Sequence, residues 1–183
     1  MSVPDITVAT PGDRARVVDA LVAAFPKDPV LRYLFPDEET YPRFAAAFFG
    51  HLFDKRVARE TIWTIERGAS TAIWEPPGAS SEAELDLPAE ELARVNAYDE
   101  AVHAALPSYP YWYLCVLGTH PDHAGRRWGR AVMAPGLRRA AADGVPAVLE
   151  TSNPGNVEVY RRAGWEVVRT TPGPPPIWIM QQW

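Results

Sequence analysis

The first half of the chain is patterned as helices packed on a short sheet. Ile6-Thr7-Val8 alternates apolar and polar positions as a strand does. Val18, Leu21, Val22 and Phe25 recur at helical spacing behind Asp13, which can cap the helix, and Pro26 and Pro29 end it. Val30 to Phe35 predicts a short helix closed by Pro36. A longer helix is predicted from Thr40, where Phe44, Phe48 and Leu52 with Phe49 and Phe53 make a broad apolar stripe. Thr61 to Glu66 and Ser70 to Trp74 predict the two strands of a hairpin turning at Arg67-Gly68.

Residues 76–88 form a polar, proline-bearing linker. A helix is predicted from about Ala89 to Leu106, with Leu92, Val95, Val102 and Leu106 inward. Strand, helix, strand, helix and strand follow, and Ile177 to Met180 is the last strand, behind a proline-rich bend. The whole order is strand, helices, two strands, helix, strand, helix, strand, helix, two strands. It predicts an α/β protein, with residues 1–183 as a single domain.

Charge and cysteine content narrow the classes. A net charge of −5 argues against a general nucleic-acid binder or a membrane-surface protein. The positive charge is nevertheless concentrated: Arg126, Arg127, Arg130, Arg138 and Arg139 predict one basic corner suited to a polyphosphate ligand. Cys115 is the only cysteine, so no intrachain disulfide forms, as in a reducing compartment. The amino terminus has no basic start with an apolar run, and no stretch reaches the roughly eighteen apolar residues of a membrane span. A cytoplasmic protein is the expectation.

The chemistry gathers between Tyr111 and Trp165. A strand there enters a helix through a basic, glycine-containing turn, Ala124-Gly125-Arg126-Arg127-Trp128-Gly129-Arg130. Backbone N–H groups and the positive end of the helix dipole make such a turn an anion cradle. Glu150 ends the next strand, and Tyr160 lies on the helix after it, seven residues beyond Asn153. These are two proton-transfer groups close to that cradle. His120, Asp122 and His123 fall on one turn, which is poor geometry for a tetrahedral metal, so no metal is expected. Cys115, in mid-strand, reads as a small buried apolar residue.

The order Leu114-Cys115-Val116-Leu117-Gly118-Thr119-His120-Pro121, the arginine-rich turn, Leu149-Glu150-Thr151-Ser152-Asn153 and Tyr160-Arg161-Arg162-Ala163-Gly164-Trp165 resembles the acyl-CoA half of the Gcn5-related N-acetyltransferases. Within that family it is most similar to puromycin N-acetyltransferase and its relatives, which share the turn, the Pro135-Gly136-Leu137 step and Gly144-Val145-Pro146-Ala147 leading into the Leu-Glu-Thr-Ser run. The resemblance implies a central mixed, twisted sheet with helices on both faces, acetyl-CoA as cofactor, and acetyl transfer to the amine of a small molecule by direct attack on the thioester. It implies that Leu117, Gly118 and Thr119 hold the pantetheine arm, that Gly125, Arg126, Arg127, Trp128, Gly129 and Arg130 cradle the pyrophosphate, and that Asn153 also contacts the cofactor. Tyr160 takes the place of the acid that protonates the leaving thiolate, and Glu150 that of the base. Tyr33, Phe35 and Trp63 come from the half that builds the acceptor pocket in the family. A homodimer is a further expectation, since many relatives pair.

The turn departs from the family pattern in two places. In the ungapped register, the family's Gln/Arg falls on Ala124 and its first glycine on Arg127, while Gly129 fits the second. The missing contact at Ala124 is worth roughly 1.5–3 kcal/mol of cofactor binding, which Arg126, Arg127 and Arg130 are placed to offset. The departures leave open a non-catalytic acyl-CoA-binding module, and a protein N-acetyltransferase is a second alternative.

Overall fold

Alternation along the strands feeds two separate cores. In β2 (Ile62–Ile65), Ile62 joins one core while Trp63 and Ile65 join the other. β3 (Ser70–Glu75) does the same, with Ile73 opposite Ala72 and Trp74. The first core is closed by α1 (Arg14–Ala24), α2 (Pro29–Leu34), α3 (Tyr41–Asp54) and α4 (Ala89–Ala105). The second is closed by α5 (Trp128–Ala142) and α6 (Pro154–Arg162). A strand burying both faces has no solvent side, which is why β2 reads as unbroken Ile-Trp-Thr-Ile rather than as apolar-polar alternation.

The computed structural model describes residue 2, residues 4–79 and residues 84–183. Its sheet has seven strands in the order β1-β2-β3-β4-β5-β7-β6, where β1 is Ile6–Val8, β4 is Trp112–Thr119, β5 is Ala147–Thr151, β6 is Glu166–Thr171 and β7 is Ile177–Gln182. All neighbours are antiparallel except β4 and β5. The predicted order of elements and the mixed α/β sheet with helices on both faces are what the structure shows.

Two details differ from the expectations, and a third has a packing cause. Asp13 does not cap α1; its carboxylate accepts from Thr10 N at 2.9 Å and pairs with Arg67 Nε at 3.1 Å, tying the helix start to the β2–β3 turn. Of the predicted linker, residues 80–83 lie outside the described residues, while Leu85 and Leu87 pack against the first core. The Pro135-Gly136 step of α5 has a packing cause: a Cβ at Gly136 would fall inside the Trp74 indole, which is fully buried edge-on against Trp112.

The β4–β5 pair positions everything that follows. These parallel strands meet only at Trp112↔Ala147 and Tyr113↔Val148. Beyond that point β4 stays with β3, and β5 stays with β7. The sheet therefore opens as a wedge at the C-terminal ends of its two parallel strands. One edge of β4 is left without a strand partner there, and Glu150 stands on the other side. β4 also carries a bulge: Ile73 faces Val116 and Trp74 faces Leu114, so Cys115 is the extra residue.

Candidate active site

Three connected spaces follow the wedge. The first is a groove of about 720 Å³ at the start of α5, lined by Leu117, Thr119, residues 123–130, Met133, Asn156, Val159, Tyr160, Arg162 and Ala163. Its charged lining consists of Arg126, Arg127, Arg130 and Arg162, with no carboxylate among the described residues. The N–H groups of the first turn of α5 have no partner within the helix and add to the positive field. Arg127 occupies the position just before that helix with φ 60° and ψ 22°, the left-handed conformation that a glycine adopts without strain, and Gly125 has φ +80°. The turn thus keeps its glycine-like shape at Arg127 and gains a guanidinium. Trp128 anchors it, buried in the second core, with the His123 ring stacked on it at 4.7 Å and the Arg126 guanidinium 5.3 Å from its centre.

The second space is a chamber of about 120 Å³ inside the wedge. It shares Leu117, Asn156 and Tyr160 with the groove. Asp28 and Glu150 are the charged residues of its wall among the described residues; the rest is mainly apolar or aromatic, including Phe25, Phe49 and Tyr98. Burial drives the Glu150 carboxyl up from 4.5 to about 8, and the negative charges of Asp99 and Asp28 add to this. The Tyr113 hydroxyl donates a hydrogen bond to Glu150 Oε2 and pulls the other way. Tyr160 is pushed up to about 12, first by burial and then by the charges of Glu150 and Asp28. Asp28 accepts from Val30 N and Leu31 N as the cap of α2, yet burial still raises its carboxyl.

The third space, about 980 Å³, lies beyond Glu150 and shares Phe48, Leu52, Tyr98, Cys115 and Glu150 with the chamber. Its lining carries Glu75, Glu84, Asp86 and Asp99 as well as Glu150, against Lys55 and Arg56. Arg56 is engaged: its guanidinium donates to Leu52 O at 3.1 Å and lies 3.4 Å from Glu75. Burial and the neighbouring Lys55 and Arg56 lower the pKa of His51, favouring its neutral form. The molecule therefore presents a positive groove on one side of the chamber and a predominantly acidic space on the other.

Most residues singled out from the sequence fall along this path, and some do not. Leu117, Thr119 and Gly125 to Arg130 line the groove, while Gly118 turns toward α1, where a Cβ would come within 2.7 Å of Leu21 and Phe25. Glu150 and Tyr160 share the chamber. Asn153 caps α6, its side-chain oxygen accepting from Gly155 N at 2.9 Å, and Asn156 is the asparagine that lines both groove and chamber. The basic corner is narrower than expected: Arg138 is exposed further along α5 and Arg139 lies over Trp112 at 5.0 Å, while Arg162 joins the groove from α6. Cys115 is partly exposed to both chambers rather than fully buried, and burial raises its thiol to about 12.

Tyr33, Phe35 and Trp63 line none of the three spaces. Phe35 packs against Phe44 and Phe48, Tyr33 packs on the first core, and Trp63 belongs to the second core, across the sheet from the acceptor side. The aromatic wall comes instead from Tyr98, Tyr111 and Tyr113. Tyr98 sits at a helical core position that gives no chemical signal in the sequence. Asp28 before Pro29 carried only the signal of a helix cap. No group of three or more metal-ligating side chains is found among the described residues.

Residues 59–165 match the family described as acetyltransferase (GNAT) family, a span of more than half the chain. The fold is shared with a Corynebacterium glutamicum protein described as histone acetyltransferase HPA2 and related acetyltransferase, at 22% identity and a TM-score of 0.73 over 99% of this chain and 96% of that one. It is also shared with the C-terminal condensation domain of Ebony, solved with beta-alanyl-dopamine, at 13% identity and a TM-score of 0.73 over 97% of each chain. An agmatine N-acetyltransferase aligns at 15% identity with a TM-score of 0.61, again over 97% of each chain.

Proposed function

We propose, from the premise that this chain belongs to the acetyltransferase (GNAT) family, that it moves an acetyl group from acetyl-CoA to the amine of a small molecule. The observation that carries this reading is the chamber whose charged wall residues are Asp28 and Glu150, joined on one side to an arginine-lined groove and on the other to a predominantly acidic space. Polyphosphate suits the first and a cationic amine the second. The free edge of β4 beside Leu117 and Thr119 can pair with the amide-bearing arm of the cofactor as a strand would.

When bound, acetyl-CoA supplies a thioester whose carbonyl carbon the amine attacks. Asp28 and Glu150 draw the ammonium into the chamber. Glu150, with a pKa of about 8, is a base poised near neutral pH and takes one proton from the ammonium, while the second proton, shed by the nitrogen after attack, replaces the one Tyr160 gives up. The Cys115 bulge leaves backbone polar groups free of the ladder at the chamber wall, where an N–H can polarise the carbonyl. Tyr160 keeps its proton at neutral pH and delivers it toward the leaving sulfur. The resemblance of the Leu-Glu-Thr-Ser run around Glu150 to the puromycin-enzyme group is a further support for the base assignment.

A protein acceptor is the second reading, prompted by the histone acetyltransferase description of one structural relative. Two other relatives, named for agmatine acetylation and for a complex with beta-alanyl-dopamine, point to small amines. The reading is tested by incubating the protein with acetyl-CoA and a panel of small amines or unstructured peptides, then following thiol release and product mass. An amine gaining one acetyl group supports it. Acetylated peptides with no acetylated amine would shift the acceptor to protein, and no product with either would refute the enzyme.

A further inference from the structure

The apex of the wedge is bridged by a contact that the proposed chemistry has not used. Tyr113 pairs with Val148 at the last rung joining β4 and β5, and Glu150 is two residues past Val148 on the same face. The strands part beyond that rung, so a long side chain is needed to reach across the opening. The Tyr113 hydroxyl closes the distance by donating to Glu150 Oε2. The Tyr111 ring stands edge-on against Tyr113 at 6.4 Å, which helps to fix its direction.

We propose that Tyr113 is the positioning residue for the base: it holds Glu150 Oε2, presents the other oxygen to the acceptor, and sets the pH at which the carboxylate becomes available. This rests on the reading of Glu150 as the base. Tyr113 is suited to the task because its own pKa lies well above the ordinary tyrosine value, pushed there by burial and by Glu150 itself. It remains a fixed donor throughout the working range and never competes for the acceptor's proton. A hydrogen bond from Glu150's own backbone N–H also lowers its pKa, and the remaining groups act through charge: Asp99 and Asp28 raise it, while Tyr98 from α4 and Tyr160 from α6 face it as neutral phenols. Beyond these, Arg56, Lys55 and Glu75 set the field around the neighbouring Cys115. Tyr113 contributes a directed hydrogen bond, so its removal changes Glu150 in a way that a general packing defect does not.

The test is a carbon-13 NMR titration of the glutamate carboxyls, with Glu150 identified by its loss in Glu150→Gln. In Tyr113→Phe the midpoint should move to higher pH by roughly one pH unit, the effect of losing a hydrogen bond to a charged acceptor. An unchanged or lower midpoint in a folded Tyr113→Phe would overturn the proposal. If that variant fails to fold, the Tyr113 hydroxyl proton of the unaltered protein gives a second reading. Its resonance should follow the titration of Glu150 and lose that dependence in Glu150→Gln; a resonance indifferent to pH would overturn the proposal. A Glu150 that titrates in the ordinary carboxylate range yet still moves with Tyr113→Phe would support the contact while removing the base, so the two failures are told apart.

Discussion

Glu150 and Tyr160 face the same chamber, and the charge of Glu150 is the first influence after burial in holding the Tyr160 hydroxyl up at about 12. The coupling favours the proposed sequence of proton movements. Once Glu150 has taken a proton from the amine, its negative charge is gone and Tyr160 releases its own proton more easily. Removing either group should be costly: Tyr160→Phe lowers kcat by roughly a hundredfold or more, with little change in the KM for acetyl-CoA. Steady-state kinetics on Tyr160→Phe and Glu150→Gln check this.

Glu150 also makes stability depend on pH. Its folded pKa of about 8 lies above its ordinary value of 4.5, so the folded state binds more protons than the unfolded state between those values. Stability from this group is intact below 4.5 and is lost as pH rises toward 8. Glu150→Gln removes the buried charge, and a glutamine oxygen can still accept from Tyr113. The variant should melt higher than the parent at pH 8.5, and the difference should shrink to near zero at pH 4.5, as read by thermal denaturation across pH.

Arg127 combines strain with charge. Held at φ 60°, it should respond differently to two replacements. Arg127→Ala keeps the strained backbone and Arg127→Gly relieves it, so the glycine variant should be the more stable of the two by about 1 kcal/mol. Both lose a groove cation and should weaken acetyl-CoA binding several-fold, an effect that grows at low salt. Paired denaturation curves and titrations separate the two contributions.

Gly136→Ala places a methyl group inside the Trp74 indole, which is clamped between α5 and Trp112. Overpacking of this kind costs about 1–3 kcal/mol or more, so the melting temperature should drop by several degrees. A variant melting with the parent would show that Trp74 has room to move.

The order of elements was legible because each carries its own local signal: proline breaks, helical spacing in α3, and β-branched runs in β2 and β3. Glu150, Tyr160 and the arginine turn were legible for the same reason, since each falls at the end or start of an element. The wedge was not. Which strand β4 leaves, and where, depends on pairing between residues far apart in sequence, and so does the approach of Tyr113 to Glu150. Tyr33, Phe35 and Trp63 show the converse: their aromatic character was plain, but facing depends on how α2 and β2 pack, and Phe35 and Trp63 turn into the cores while Tyr33 packs half-buried on the first. Asn153 and Asn156 divide along the same line. A residue before Pro-Gly caps the helix locally, and its neighbour one turn later reaches the groove.

The groove, the chamber and the wedge form the proposed seat for acetyl-CoA, and thermal melting with and without the cofactor tests that most directly. At a hundredfold excess over its dissociation constant, acetyl-CoA should stabilise the protein by about 2.7 kcal/mol, a rise of several degrees that diminishes when Arg126 and Arg130 are replaced by alanine. A melting temperature indifferent to millimolar acetyl-CoA would contradict the account, and the catalytic reading would fall with it.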